Sequence, residues 1–245
     1  MISVRNLHKT LGSQQVLRGV NLEIRSGQTC VVLGRSGCGK SVLLKHFIGL
    51  LKPSSGQVLV DQEDIGSLHE RQLGPIRKKV GILFQSGALF DSMTVEDNIA
   101  FPLRESGIRD RREISDRVAE ALEMVDLAGE QSKMPENLSG GMRKRVGLAR
   151  TIVNRPACIL YDEPTTGLDP IATDSINHLI RRLQKRLQVT SVVVTHDMKT
   201  AFHTADSIVF LHEGRVYFEG TPGDLHSSTD PVLTDFVEGR SGESD

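Results

Sequence analysis

Residues 34 to 41 read GRSGCGKS, a glycine-rich run that closes on a lysine and a hydroxyl side chain. The spacing G-x-x-x-x-G-K-[ST] wraps backbone N–H groups around phosphates when a strand precedes it and a helix follows. Gly34, Gly37 and Gly39 let the main chain approach phosphate oxygens with no Cβ in the way. Successive N–H groups, backed by a helix N-terminus, then form an anion nest. The whole run Gly34, Arg35, Ser36, Gly37, Cys38, Gly39, Lys40, Ser41 and Val42 is expected to line a nucleotide. Lys40 would reach the β- and γ-phosphates, which makes it a catalytic candidate, and the Ser41 hydroxyl would ligate Mg2+. Taken alone, the run says only that the chain handles a nucleoside triphosphate.

A second group is acidic. CILYDEP (158 to 164) reads as a buried strand ending in Asp162 and Glu163. Ligands of open α/β sheets bind outside the carboxyl ends of the strands. Asp162 would there hold Mg2+ through water, and Glu163 would act as general base towards an attacking water. A solvated acidic pair is the competing reading. LSGGM (138 to 142) lies just ahead of a helix striped with Met142, Val146, Ala149 and Val153. Ser139, Gly140 and Gly141 at a helix tip form another anion-binding device, although SGG by itself is more often a plain loop. His196, in VVVTHDM, closes a further buried strand, and Gln85, in GILFQSGALF, stands at a junction with a helical stretch. His196 suits a γ-phosphate sensor and Gln85 an Mg2+-linked hinge; a lone histidine or glutamine is more often structural.

The elements that must position these groups are legible from periodicity. ISVRNL (2 to 7) and the segment 16 to 24 alternate as half-buried strands, whereas TCVVL, CILYD, SVVVT and SIVFL are short, continuous apolar runs of strands buried on both faces. Ile176, Leu179, Ile180, Leu183 and Leu187 share one helix face. Strands alternating with helices imply a mostly parallel α/β sheet. The stretch from about 88 to 135 lacks a buried-strand run and keeps helical spacing at Ile114, Val118, Leu122 and Val125, as an inserted helical lobe would. FLHEGRVYFEG should turn at Glu213-Gly214 as a hairpin, and GRSGESD reads as a solvated end.

Composition narrows the class further. Thirty basic against 31 acidic residues give no global electrostatic case for nucleic acid or an anionic surface. Three cysteines without metal-type spacing suit a reducing compartment. MISVRNLHKT has no apolar run behind basic residues, so no signal peptide is expected, and no apolar run is long enough to span a bilayer.

Lys40, Gln85, LSGGM, Asp162-Glu163, TGLD (166 to 169 spans Thr166 to Asp169) and His196 stand in the order of, and together resemble, an ABC-transporter ATPase domain over residues 1 to about 225. The resemblance implies a P-loop NTPase (RecA-like) core, an N-terminal antiparallel β subdomain and an inserted α-helical subdomain. On that basis residues 1–237 form the ATPase domain, with 1–87 and 156–225 as α/β core, 88–155 as the helical subdomain carrying the signature segment, and 226–245 as a tail. It implies ATP and Mg2+ as cofactors and a head-to-tail pair of copies. Ser139 to Gly141 of one copy would cap ATP on Gly34 to Ser41 of the other, with Asp169 linking the sites. It also implies a permease partner and a place on the cytoplasmic face of the inner membrane.

The family commonly stacks an aromatic on adenine where this chain has Leu11, leaving Leu11 and Val16 to pack against the base. Base stacking on an aromatic is worth ~1–3 kcal/mol, so weaker preference for ATP over GTP is expected. Met142 replaces the commoner glutamine of the signature. LSGGM, FQSGALFDSMTVEDNIAFPLRE (84 to 105) and DPVLTDFVEG (230 to 239) resemble ATPases of Mla-type, MCE-associated phospholipid transporters. That implies an MlaE-like permease, an MCE-domain substrate-binding protein and a STAS-domain partner near the tail, with Phe90 or Met93 as permease contacts. ATPases serving amino-acid or metal importers, and soluble ABC ATPases acting on nucleic acid, are the alternatives. The absence of a basic tail or heptad run argues against the latter.

Overall fold

Alternating apolar residues at the start of the chain demand a sheet with one face in a core. In the computed structural model, which describes residues 1–240, β1 (Ile2–Leu11) pairs antiparallel with β2 (Gln14–Ile24). β1 runs past the expected Leu7 because His8 and Lys9 keep pairing with Arg18 and Leu17. Next come β3 (Thr29–Leu33), α1 (Lys40–His46), β4 (Ser55–Val60), β5 (Glu63–Asp64) and α2 (Gly74–Lys79). β6 (Val80–Leu83), α3 (Val95–Glu105), α4 (Arg111–Met124), α5 (Gly140–Ile152), β7 (Cys158–Asp162) and α6 (Pro170–Leu187) follow. The chain continues through β8 (Thr190–Thr195), α7 (Met198–Thr204), β9 (Ser207–His212), β10 (Arg215–Gly220), α8 (Pro222–His226) and α9 (Pro231–Val237).

Two units divide the chain, Met1–Ile76 with Val192–Asp245, and Arg77–Ser191. In the first, an antiparallel sheet of order β2-β1-β4-β5 accompanies β3, which lies between β8 and β9. β3 and β9 run parallel, from Cys30 opposite Ser207 to Leu33 opposite Phe210. Val31, Val32 and Leu33 are wholly buried, as a strand covered on both faces requires. β9 and β10 make the expected hairpin, with Glu213 and Gly214 both at positive φ (47° and 76°).

The second unit holds β6 and β7, paired in parallel, together with helices α3 to α6. The helical stretch expected over 88–155 lies within it. Ile114, Val118 and Leu122 on α4, and Val146 and Ala149 on α5, are buried as their spacing implied. Asp169 caps α6 by accepting from the Ile171 and Ala172 N–H groups, Pro170 sits at its first turn, and Gln188 ends it in a left-handed conformation. The basic run at 109 to 112 is an exposed helix start, with Asp110 capping α4. The solvated end expected for GRSGESD lies, from Ser241 onward, outside the described residues. Among the described residues no helix is long and apolar enough to cross a membrane.

Candidate functional site

In the first unit the glycine-rich run leaves β3 and enters α1, the strand–loop–helix setting its spacing demanded. Two glycines are fixed by close approach. A Cβ on Gly34 would lie 2.4 Å from the Leu211 carbonyl oxygen and 2.6 Å from Cys38 Sγ. A Cβ on Gly39 would lie 2.8 Å from Leu17 Cδ2, and its φ of 106° is one that L-residues rarely adopt. Val16 on β2 packs over the same turn, 3.2 Å from that Cβ position. Gly39 is the N-cap of α1 and brings no side chain to its first N–H groups, and no acid stands in the first turn. No capping side chain or first-turn acid therefore offsets the partial positive charge that the helix tip presents.

Lys40 is buried, and its Nζ donates to the carbonyls of Gly34 (2.8 Å) and Arg35 (3.1 Å), drawing the loop into a ring around the ammonium. Arg35, Ser36 and Gly37 are exposed at the tip of the loop, while Ser41 and Val42 are half-buried on α1. Leu11 ends β1 at 42% exposure, a large apolar side chain open to solvent. His196 follows β8, the strand beside β3, and is exposed. Its turn is fixed by Asp197, whose N–H donates to Thr195 Oγ1 and whose carboxylate accepts from the Lys199 and Thr200 N–H groups.

In the second unit, register does the positioning. Leu83 of β6 stands opposite Tyr161 of β7 in a parallel pair, so Gln85 and the Asp162-Glu163 pair leave neighbouring strands at the same end. Asp162 and Glu163 are buried, at 8% and 9% exposure, and Gln85 is exposed. Glu163 has φ of 49°, unfavourable for a residue with a Cβ. Its carboxylate Oε2 accepts from the Thr166 hydroxyl at 3.2 Å. Ser139 caps α5, its Oγ accepting from the Met142 N–H at 3.2 Å, and the first turn of α5 carries no acid. A Cβ on Gly140 would touch Leu168, and one on Gly141 would touch Ala172, so the two glycines pack against the segment containing Asp169.

Two polar side chains that periodicity alone did not single out stand inside this unit. Lys144, only 5% exposed, donates from Nζ to the Gln85 carbonyl and, at 3.4 Å, to the Glu163 carbonyl. Burial pushes its pKa down, and the charges of Glu163 and Asp162 pull partly back. Asn98 on α3 is wholly buried and fastens the turn from Phe90 to Thr94. Its Oδ1 accepts from the Phe90 N–H, and its Nδ2 faces the carbonyls of Phe90, Met93 and Thr94 at 3.0 to 3.1 Å. The only sequence signal for Asn98 is a polar residue on the apolar face of α3, between Val95 and Ile99.

Beside that turn lies a groove of about 380 Å³, lined by Phe90, Phe101, Ala88, Arg77, Lys78 and Arg150. Phe90 is 41% exposed, with its ring 5.0 Å from that of Phe101 and 5.6 Å from the Arg150 guanidinium carbon. Arg150 also donates to the Gly87 carbonyl. Met93 is half-buried.

Comparison with known proteins accords with this geometry. A family model described as ABC transporter matches residues 17–166. The chain is 43% identical to a probable ribonucleotide transport ATP-binding protein, mkl, of Mycobacterium leprae, over 98% of this chain and 69% of the relative. It is 41% identical to the intermembrane phospholipid transport system ATP-binding protein MlaF of Haemophilus influenzae, over 98% of this chain and 91% of the relative. Among solved structures it resembles the dimeric post-hydrolysis state of the ATP-binding cassette MJ0796 bound to ADP and Pi. There the TM-score is 0.83 and the identity 33%, covering 91% of this chain and 99% of the other.

Proposed function

The chain belongs to the ABC transporter family, and from that premise we propose that it is the ATP-hydrolysing subunit of a phospholipid-moving transporter. The observation that carries the enzymatic half is the parallel register of β6 and β7, which brings Gln85 level with the Asp162-Glu163 pair. In this reading the N–H groups from Gly34 to Ser41 and the Lys40 ammonium hold the β- and γ-phosphates. Glu163 takes the proton of the water that attacks the γ-phosphorus, ADP leaves with the bridging oxygen, and His196 holds the γ-phosphate in place. In the same reading Mg2+ would be held by the Ser41 hydroxyl, the Gln85 side-chain oxygen and the Asp162 carboxylate, each a hard oxygen donor of the kind that ion takes. Bound there, the ion would neutralise phosphate charge.

The partner is a second copy of the chain. Ser139 to Gly141 of one copy caps the nucleotide on the other, with Asp169 at the interface. Exposed Ser139 and the acid-free first turn of α5 are what such a cap needs. The groove at Phe90 and Arg150 receives an MlaE-like permease. An aromatic ring open to solvent beside basic Arg77 and Lys78 offers an apolar centre with a charged rim. An MCE-domain protein and a STAS-domain protein complete the assembly, which places the subunit on the cytoplasmic face of the inner membrane. Phospholipid is preferred as cargo because the match to MlaF covers 91% of that protein, against 69% of the mkl relative.

Removal of a general base costs about 10²–10⁴-fold. Glu163→Gln is therefore expected to abolish turnover by that factor, to keep ATP binding, and to trap an ATP-dependent dimer visible by size-exclusion chromatography with light scattering. Hydrolysis at the wild-type rate would remove Glu163 from its assigned role.

A further inference from the structure

We propose that Lys144 is a positioning residue for hydrolysis, a strut between the helix that offers Ser139 to the partner's nucleotide and the backbone that carries Glu163 and Gln85 in its own chain. The inference rests on the ATPase reading above and adds to it a route by which each site senses the other.

The argument starts from an anomaly in the packing. A lysine among MRKR on an amphipathic helix should reach solvent, yet Lys144 is 5% exposed while its neighbour Arg143 is open. A buried ammonium is unfavourable unless acceptors replace its water. Here the Gln85 and Glu163 carbonyls are those acceptors, with the charges of Asp162 and Glu163 close by. An apolar side chain would fill the same space without a desolvation cost, so retention of a charge at this point suits a specific link. The two carbonyls are also informative in themselves. One belongs to the proposed base, the other to the proposed hinge, and they leave adjacent strand ends.

Glu163 needs holding. Its φ of 49° lies in the left-handed region, which any residue with a Cβ disfavours. Thr166 fixes its carboxylate, whereas Lys144 fixes its main chain. Lys144 and Ser139 are joined by one helix, α5, with about 7.5 Å of axis between them. A helix transmits displacement along its axis with little compliance. Seating of Ser139 on the partner's nucleotide therefore moves Lys144, and Lys144 moves the carbonyl of the base. The signature tip thus aligns the catalytic glutamate in its own chain as well as covering ATP in the other.

The test uses the full chain with its proposed transporter partners, comparing Lys144→Met, which removes the donors, with Lys144→Arg, which restores a cation. Steady-state ATPase is measured together with fluorescent-ATP binding and thermal melting. Lys144→Met is expected to lower kcat at least about tenfold while KM and nucleotide affinity stay within about twofold. Lys144→Arg should return most of the rate. A Lys144→Met, Glu163→Gln double variant should still form the ATP-dependent dimer, since the strut acts after assembly. Should Lys144→Met fail to fold, Lys144→Gln, which keeps a donor, is expected to show the same kcat-against-KM split to a smaller degree. Unchanged kcat would overturn the proposal. So would parallel losses of kcat, affinity and melting temperature that arginine does not rescue, because they would make Lys144 a packing residue. If the wild-type chain hydrolyses no ATP, the parent reading falls and this one with it; a dead variant beside an active wild type speaks to Lys144 alone.

Discussion

Removing the Asn98 amide should both loosen the protein and weaken the proposed permease contact. The side chain is wholly buried and serves four backbone groups, the Phe90 N–H and the carbonyls of Phe90, Met93 and Thr94. Asn98→Ala leaves all four without that partner. Each protein hydrogen bond contributes about 1 kcal/mol net, and a group stranded in the interior costs about 1–3 kcal/mol. The three carbonyls share two N–H hydrogens, so their bonds are not fully independent, and water entering the space of the lost amide would recover part of the deficit. The expected loss is about 3 kcal/mol, which for a chain of this size lowers the melting temperature by roughly 6–12 °C. Asn98→Asp should be worse still, because it keeps the acceptor for the Phe90 N–H but sets a carboxylate against three carbonyl oxygens. The functional consequence follows from geometry, since the same turn presents Phe90 to the groove. Asn98→Ala should retain basal ATPase activity below its melting temperature and lose any stimulation by the proposed permease. Urea titration and ATPase assays with and without the reconstituted membrane partner give both readouts. A stability change under about 0.5 kcal/mol, or an aspartate variant as stable as the parent, would refute the account of how this turn is held.

Leu11→Tyr should supply the missing stacking surface beside Val16 and raise preference for ATP over GTP by about tenfold, within the ~1–3 kcal/mol that stacking provides. Competition between the two nucleotides measures it, and strong ATP selectivity in the wild type would show that Leu11 was never a deficit. Asp126 is a source of acid sensitivity. Burial alone would raise its pKa, but hydrogen bonds from Arg182 (2.6 Å) and Arg145 (2.7 Å) outweigh that and hold it below the usual carboxylate range. A native pKa below the unfolded value of about 3.9 adds stability that is fully present above that value and is lost as pH falls through the native pKa. Asp126→Asn should therefore melt below wild type at pH 7, and the gap should close as pH drops below about 4. A gap that is independent of pH would mean the charge contributes nothing.

Much of the candidate site was legible because the chemistry proposed for it constrains residue type and spacing together. The approach of Leu211 and Leu17 to Gly34 and Gly39 leaves no room for a side chain, so glycine at those positions is written into the sequence. The strands TCVVL and CILYD were equally plain, since burial on both faces removes polar residues from the run. Lys144 was not legible. In sequence it is one basic residue among several, and only the meeting of α5 with the ends of β6 and β7 turns it inward. Asn98 was hidden for a related reason. The acceptors it serves belong to a turn without periodicity, whose carbonyl directions no local pattern encodes. Thr166 lies in plain sight within TGLD, but its bond to Glu163 depends on a left-handed backbone that propensity does not foretell. Groups that bind a fixed external ligand leave a spaced pattern, whereas groups that serve the chain's own backbone leave almost none.

The pairing of β3 with β9 has a consequence for how the protein comes into being. The Thr29 N–H meets the Asp206 carboxylate across a sequence separation of 177 residues. During synthesis at about 5–20 residues per second, the strand feeding the glycine-rich loop emerges roughly 9–35 s before its neighbour. Throughout that interval TCVVL is an apolar, unpaired edge, the kind of segment that recruits wrong partners. Arg77–Ser191, by contrast, is continuous and can begin to order while the remainder is still being made. Newborn chains should accordingly depend on chaperones for the nucleotide cradle far more than for the helical lobe, and a circular permutant that brings β9 ahead of β3 should relieve that dependence.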